Sequence, residues 1–225
     1  MDAVPAPVAR SPLSAFAAPL LASLVTGLAR FVTGVRPDWR GCLPQMRQRI
    51  YFANHGSHGD FVLIWTVLPK ALRPLTRPVA GADYWDRPGL RGFVGRNVFN
   101  ALMIDREPKP GGPHPVELMA KAITEGSSLI LFPEGTRNTT EEPLLPFRSG
   151  LYRLGKAKPD IELVPVWIEN ISRVMPKGEM LPIPLLCSVV FGTPMAVGAS
   201  EDKTAFLERA RQALLELRPN GEAHK

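Results

Sequence analysis

The chain has 225 residues, of which 45% are hydrophobic and 21% charged, enough apolar material for a sizeable single-domain core and too much for a disordered protein. Its 27 basic residues outweigh 21 acidic ones, for a formal charge of +6, which suits nucleic acid, an anionic membrane surface, or phosphorylated and CoA-like ligands. The basic residues are scattered, with no zinc-finger spacing, RNP-like strand or heptad zipper, so nucleic acid is the weakest of the three. Cys42 and Cys187 lie far apart in no metal or redox motif, which fits a reduced compartment.

Residues 1–12 carry Pro5, Pro7 and Pro12 and read as a flexible lead-in. Leu13 to Ala29 is uncharged, with Leu13, Phe16, Leu20, Leu21, Leu24, Val25 and Leu28 among small residues, Pro19 inside, and Arg30, Arg36 and Arg40 behind. That run is at or just below bilayer-spanning length. It suits a helix lying in the membrane interface or dipping into it, with a buried core helix as the alternative. A single basic residue, Arg10, and the lack of a persuasive cleavage site argue against a signal peptide.

Farther on, Ile50–Ala53 reads as a strand and Phe61–Leu68 as a buried helix ended by Pro69. Arg77–Ala80 reads as a strand and Gly81–Trp85 as a loop. Leu90–Asn100 has a helical pattern weakened by Gly92 and Gly95. The strand Ala101–Ile104 delivers Asp105 and Arg106, and Pro108–Pro115 is a loop. Val116–Glu125 is an amphipathic helix stopped at Gly126. Ser128–Phe132 is a strand that delivers the loop Pro133–Arg137, and Arg148–Lys156 is a short helix. Ile161–Ile168 and Leu185–Phe191 are strands, and Glu201–Leu217 is the closing helix. Strands that alternate with helices predict an α/β fold, a largely parallel sheet flanked by helices. The organisation is an apolar membrane-associating helix and linker over 1–45, a catalytic domain over 46–217 and a polar tail over 218–225. Active sites in such folds gather at the carboxyl ends of strands, where His55, Arg106 and Glu134 all fall.

The stretch Asn54-His55-Gly56-Ser57-His58-Gly59-Asp60 sits at the first of these ends. Histidine is the side chain best suited to take a proton near neutral pH, and a carboxylate on one imidazole nitrogen leaves the other free as a base. Ser57 and Asp60 also have the S-x-x-D spacing of a capping box, a purely structural role compatible with the catalytic one. The chain has no nucleophile elbow, Walker loop, Rossmann fingerprint or H-E-x-x-H. A His/Asp pair without a serine or cysteine nucleophile suits direct deprotonation of a substrate hydroxyl, with no covalent intermediate. Arginines at strand ends suit a phosphate.

These segments together resemble the glycerolipid acyltransferases. Residues 54–60 match the N-H-x-S-x-x-D form of that family's H-x₄-D motif, and Phe132-Pro133-Glu134-Gly135-Thr136-Arg137 matches its F-P-E-G-T-R. Ile104-Asp105-Arg106 is similar to its I-D-R, Phe147-Arg148-Ser149-Gly150 to its F-K-x-G with Arg for Lys, and Val164-Pro165-Val166 to its late V-P-V. The resemblance runs from about residue 48 to 195. It implies that His55 is the general base, that Asp60 orients it, and that the activated hydroxyl attacks the thioester of acyl-CoA or acyl-carrier protein. It gives the acceptor phosphate to Arg106 and Arg137, pocket shaping to Glu134, Gly135 and Thr136, and acyl-donor support to Pro165. No metal or prosthetic group is implied. The expected partners are a lysophospholipid acceptor, the acyl thioester and a membrane surface, at the cytoplasmic face, with no nucleic acid.

The sequence departs from the family where lysophosphatidate acyltransferases carry a Lys-rich stretch, having Ala80-Gly81-Ala82-Asp83-Tyr84-Trp85 instead, and His58 stands where an aromatic residue is usual. The acceptor therefore reads as lysophosphatidate or a related lysophospholipid. Two other readings use the same residues: a thioesterase or lipid hydrolase, and a non-catalytic lipid-binding protein.

Overall fold

The computed structural model describes residues 12–85, 89–105, 112–169 and 187–219. Strands β1 (Arg36–Trp39), β2 (Arg49–Ala53), β3 (Thr76–Gly81), β4 (Leu102–Ile104), β5 (Ser128–Leu131), β6 (Glu162–Glu169) and β7 (Ser188–Phe191) form one sheet in the order β1-β7-β6-β2-β5-β3-β4. Every neighbouring pair is parallel except β6 and β7. The helices are α1 (Pro12–Thr33), α2 (Asp60–Val67), α3 (Ala82–Trp85), α4 (Leu90–Phe93), α5 (Pro115–Thr124), α6 (Gly150–Ala157) and α7 (Lys203–Leu215). The expected α/β architecture is thus present.

The central strand β2 is buried from end to end, as is β5 beside it. Their sequences are runs of large apolar residues because helices cover both faces of the sheet. Successive side chains of a strand point to opposite faces. Tyr51 and Ala53 therefore join Phe61, Ile64 and Trp65 of α2 on one face. Ile50 and Phe52 meet Met119 of α5, Leu154 of α6 and Phe206 of α7 on the other. In register, Ile50 faces Leu129 of β5 and Leu163 of β6, so the carboxyl ends of all three strands reach the same edge.

Two local expectations change, and one strand, β1, is added to the expected elements. Gly81 ends β3, and Ala82–Trp85 forms a helical turn in place of a loop. The helical pattern of 90–100 divides into α4 and a π-helical stretch, Val94–Val98. There, a Cβ on Gly95 would lie 3.1 Å from the Met103 side chain and 3.2 Å from that of Trp85, so the glycine admits close packing where the helix is irregular. Strand β1, with its sequence Arg-Pro-Asp-Trp, carries no apolar period; it is held by pairing with β7 and by Trp39 stacked on Phe191 at 3.8 Å.

Helix α1 packs on α2 and the π-helical stretch through Leu21, Ala22 and Val25. Arg73 ties it down: the guanidinium donates to the carbonyls of Thr66 and Leu68 at the end of α2 and to Thr26 Oγ1 on α1. A cation at a helix carboxyl end satisfies carbonyls the helix leaves free. The other side of α1 is bare, with Leu20, Leu24, Leu28 and Phe31 exposed, Phe31 to 86%. Among the described residues, no helix is long and apolar enough to cross a membrane.

Candidate active site

The site begins where β2 ends. Asn54 pins that end to β6, its Nδ2 donating to Ile168 O at 2.9 Å while its Oδ1 accepts from Ile168 N at 2.8 Å. His55 follows, held on four sides. Its backbone N–H donates to Glu134 Oε1 at 2.8 Å, and its carbonyl accepts from Asn138 N at 2.6 Å. Its ring stacks on Phe132 at 4.1 Å, and its Nδ1 lies 2.9 Å from Asp60 Oδ2.

Asp60 opens α2 and is nearly fully buried. The same Oδ2 accepts from the backbone N–H groups of Gly56 at 2.8 Å and Ser57 at 2.9 Å. Asp60 Oδ2 thus gathers His55 Nδ1 and two backbone N–H groups at the start of α2. A carboxylate only accepts, so Nδ1 of His55 carries the proton and Nε2 keeps its lone pair. The reciprocal capping box is not formed: Gly59 is the cap residue, with no side-chain cap bond, and Ser57 Oγ accepts from Gly59 N. Asp60 serves both His55 and the loop.

Glu134 comes from the end of β5, adjacent to β2. Its two oxygens accept from His55 N and Leu145 N, each at 2.8 Å. Burial pushes its carboxyl above the ordinary 4.5, partly offset by those two N–H groups. It stands behind the site as the brace of the His55 loop. A glutamine here would set an NH₂ against one of the two N–H donors, costing about 1–3 kcal/mol. Because the folded value is raised, the wild type's lead over Glu134→Gln is largest at low pH and narrows as pH rises above 4.5 through the raised value. Urea denaturation of both proteins across that range measures it.

His55 lines a cavity of about 410 Å³ at the carboxyl edge of the sheet. Phe61, Trp85, Met119, Leu131 and Phe132 give it an apolar interior, and His58, His114, Arg148 and Arg153 add titratable or cationic groups. A larger depression, about 1050 Å³, lies at the opposite edge. There Arg47 pairs with Glu162 and Lys158 donates to Thr124 Oγ1, and no histidine is among the described residues that line it. The His55–Asp60 pair belongs to the first cavity.

Of the residues expected from the sequence, His55 and Gly135 line this cavity, with Asp60 and Glu134 directly behind. Thr136 and Arg137 are exposed and do not line it. Pro165 is buried within β6, away from the cavity wall. Arg106 lies outside the described residues. Sequence reasoning missed the site roles of Asn54, Phe132 and Asn138, which sit inside or beside the two motifs. It also missed Arg148 and Arg153, although Arg148 occupies the F-K-x-G-like segment.

Residues 40–169, more than half of the chain, match the family model described as Acyltransferase. The chain belongs to that family. It is 26% identical over 175 residues to a 1-acyl-sn-glycerol-3-phosphate acyltransferase of Limnanthes alba, a match covering 74% of this chain and 57% of the relative. It is 25% identical over 197 residues to 1-acyl-sn-glycerol-3-phosphate acyltransferase alpha of Mus musculus, covering 83% of this chain and 65% of that one. The Cocos nucifera enzyme of the same name is 29% identical over 142 residues, 56% of this chain and 42% of its own. These matches span roughly half the length of the relatives. In fold, the chain is similar to the crystal structure of the 1-acyl-sn-glycerophosphate acyltransferase PlsC from Thermotoga maritima, with a TM-score of 0.66, 17% identity, and coverage of 93% of this chain and 83% of that one.

Proposed function

We propose that this acyltransferase moves a fatty acyl group from an acyl thioester, acyl-CoA or acyl-carrier protein, to the free hydroxyl of lysophosphatidate or a related lysophospholipid. The observation that carries this reading is His55, with Nδ1 on Asp60 and its ring at the wall of a largely apolar cavity. Nε2 takes the hydroxyl proton as the oxygen attacks the thioester carbonyl. The tetrahedral intermediate collapses with loss of the thiolate, which receives the proton back from the imidazolium. No enzyme-bound acyl group is formed, and neither cysteine lines the cavity. By resemblance, Arg106 and Arg137 are ligands of the acceptor phosphate, and Gly135 and Thr136 belong to the same loop.

The test is thiol release from acyl-CoA by the purified chain in detergent, with and without lysophosphatidate, with lipid products identified by mass. Acceptor-dependent release that yields phosphatidate is the expected result. Release without acceptor, giving free fatty acid, supports the hydrolase reading instead. A silent assay is repeated with acyl-carrier protein and a panel of lysophospholipids, and silence throughout would reject the transferase.

The reading includes membrane attachment at the cytoplasmic face through the exposed side of α1. Leu20, Leu24, Leu28 and Phe31 recur at helical spacing on that side. Burying one such side chain in an apolar medium is worth about 1.5–3 kcal/mol. Leu24→Glu with Phe31→Glu is therefore expected to lower vesicle partition more than about 10-fold, measured by sedimentation with phosphatidylglycerol-containing vesicles. Unchanged partition would discard α1 as the anchor.

A further inference from the structure

Among the described residues, the cavity that holds His55 is lined by two arginines and three histidines, Arg148, Arg153, His55, His58 and His114, and by no acidic residue. Among the described residues, neither Arg148 nor Arg153 takes part in an ion pair. Both are exposed as well as lining the cavity, which puts them at its rim. Two guanidinium groups without an ion-pair partner among the described residues, at the rim beside His55, make an electropositive opening.

The placement of Arg148 is built into the family motif itself. Gly135 has φ +72, and a Cβ there would lie 2.5 Å from Arg148 Cδ and 2.6 Å from its Nε. The arginine stem thus crosses the backbone of the F-P-E-G-T-R loop where only a glycine leaves room. Arg148 N also donates to Pro133 O at 2.8 Å, locking the two segments together. Arg153 stands one turn into α6, beside Ser149 and Gly150, which share the rim.

We propose that Arg148 and Arg153 form a phosphate clamp at the rim of the His55 cavity. The clamp rests on the acyl-transfer reading for its role, since both substrates of that reaction bring phosphate. Guanidinium groups match a phosphate through paired, charge-assisted hydrogen bonds. The bound group is either the phosphate of the acceptor or a nucleotide phosphate of the CoA donor. In both cases the clamp fixes the substrate at the rim while its reacting group reaches His55 inside. An unpaired cationic rim also disfavours a headgroup whose own positive charge would enter it.

The test is ³¹P line broadening of glycerol 3-phosphate and, separately, of CoA by the full chain in detergent. It compares wild type, Arg148→Gln, Arg153→Gln and Arg148→Lys, all first shown to melt normally. Wild type is expected to broaden at least one probe, the glutamine variants to weaken that binding about 10- to 100-fold each, and Arg148→Lys to recover part of it. Loss confined to glycerol 3-phosphate identifies the acceptor as the source; loss confined to CoA identifies the donor. No broadening of either probe, or broadening indifferent to both arginines, overturns the clamp. Acyl-transfer kinetics run alongside: the KM of the phosphate-bearing substrate should rise by the same factor with kcat largely kept. If wild type broadens the probes but transfers no acyl group, the reaction assignment fails and the clamp stands; the converse result fails the clamp alone.

Discussion

His55→Ala is expected to lower kcat for acceptor-dependent thiol release by about 10²- to 10⁴-fold, the usual contribution of a positioned base. The KM values should change little, because the residues proposed to hold the substrate phosphate are not His55. The fold should survive, since the backbone bonds of His55 to Glu134 and Asn138 do not involve its ring. What disappears is the stack on Phe132 and the bond to Asp60. A variant that kept activity within about threefold of wild type, well short of that contribution, would remove His55 as the base.

Asp60 gives the second large effect, and two substitutions separate its two roles. Asp60→Ala strips the acceptor from three donors at once, His55 Nδ1, Gly56 N and Ser57 N, in a buried setting. A buried donor left unmade costs about 1–3 kcal/mol; with Gly56 exposed and Ser57 and His55 only half-buried, a loss of about 2–3 kcal/mol is expected, seen as a fall in the urea midpoint. Asp60→Asn keeps the shape and an acceptor oxygen but not the charge that fixes the imidazole tautomer. It should fold with a smaller loss while kcat falls about 10²- to 10⁴-fold. Asparagine is as good a helix-start residue as aspartate. If Asp60 only started α2, the asparagine variant would therefore be nearly as active as wild type, and that result would reject its role in orienting His55.

The residues of this chemistry are close together in sequence or end a strand, which is why they were legible. A five-residue step from His55 to Asp60 across a glycine-containing turn can close only locally, and the bond at 2.9 Å is that closure. The apolar runs of β2, β5 and β6 announced buried parallel strands because both faces of the sheet are covered. Strand β1 was not legible, because Arg-Pro-Asp-Trp carries no apolar period and owes its conformation to pairing with β7, about 150 residues away in the chain. The turn Ala82–Trp85 is not legible as a helix because four residues are too few to show a helical period.

The sequence by itself determined the family and the edge of the sheet where the motifs gather, since each follows from residues within one turn or one strand end. The tertiary structure decided the rest. It made β2 and β5 neighbours, so that Glu134 braces His55 across 79 residues. It laid Arg148 over Gly135 and left Arg137 off the cavity wall. It also chose which side of α1 is covered, by docking Leu21 and Val25 and leaving Leu24 and Phe31 bare. The reason is physical. Capping, turn geometry and side-chain period act over a few residues, whereas strand order and the facing of a uniformly apolar helix are set by contacts between distant segments that no local pattern encodes.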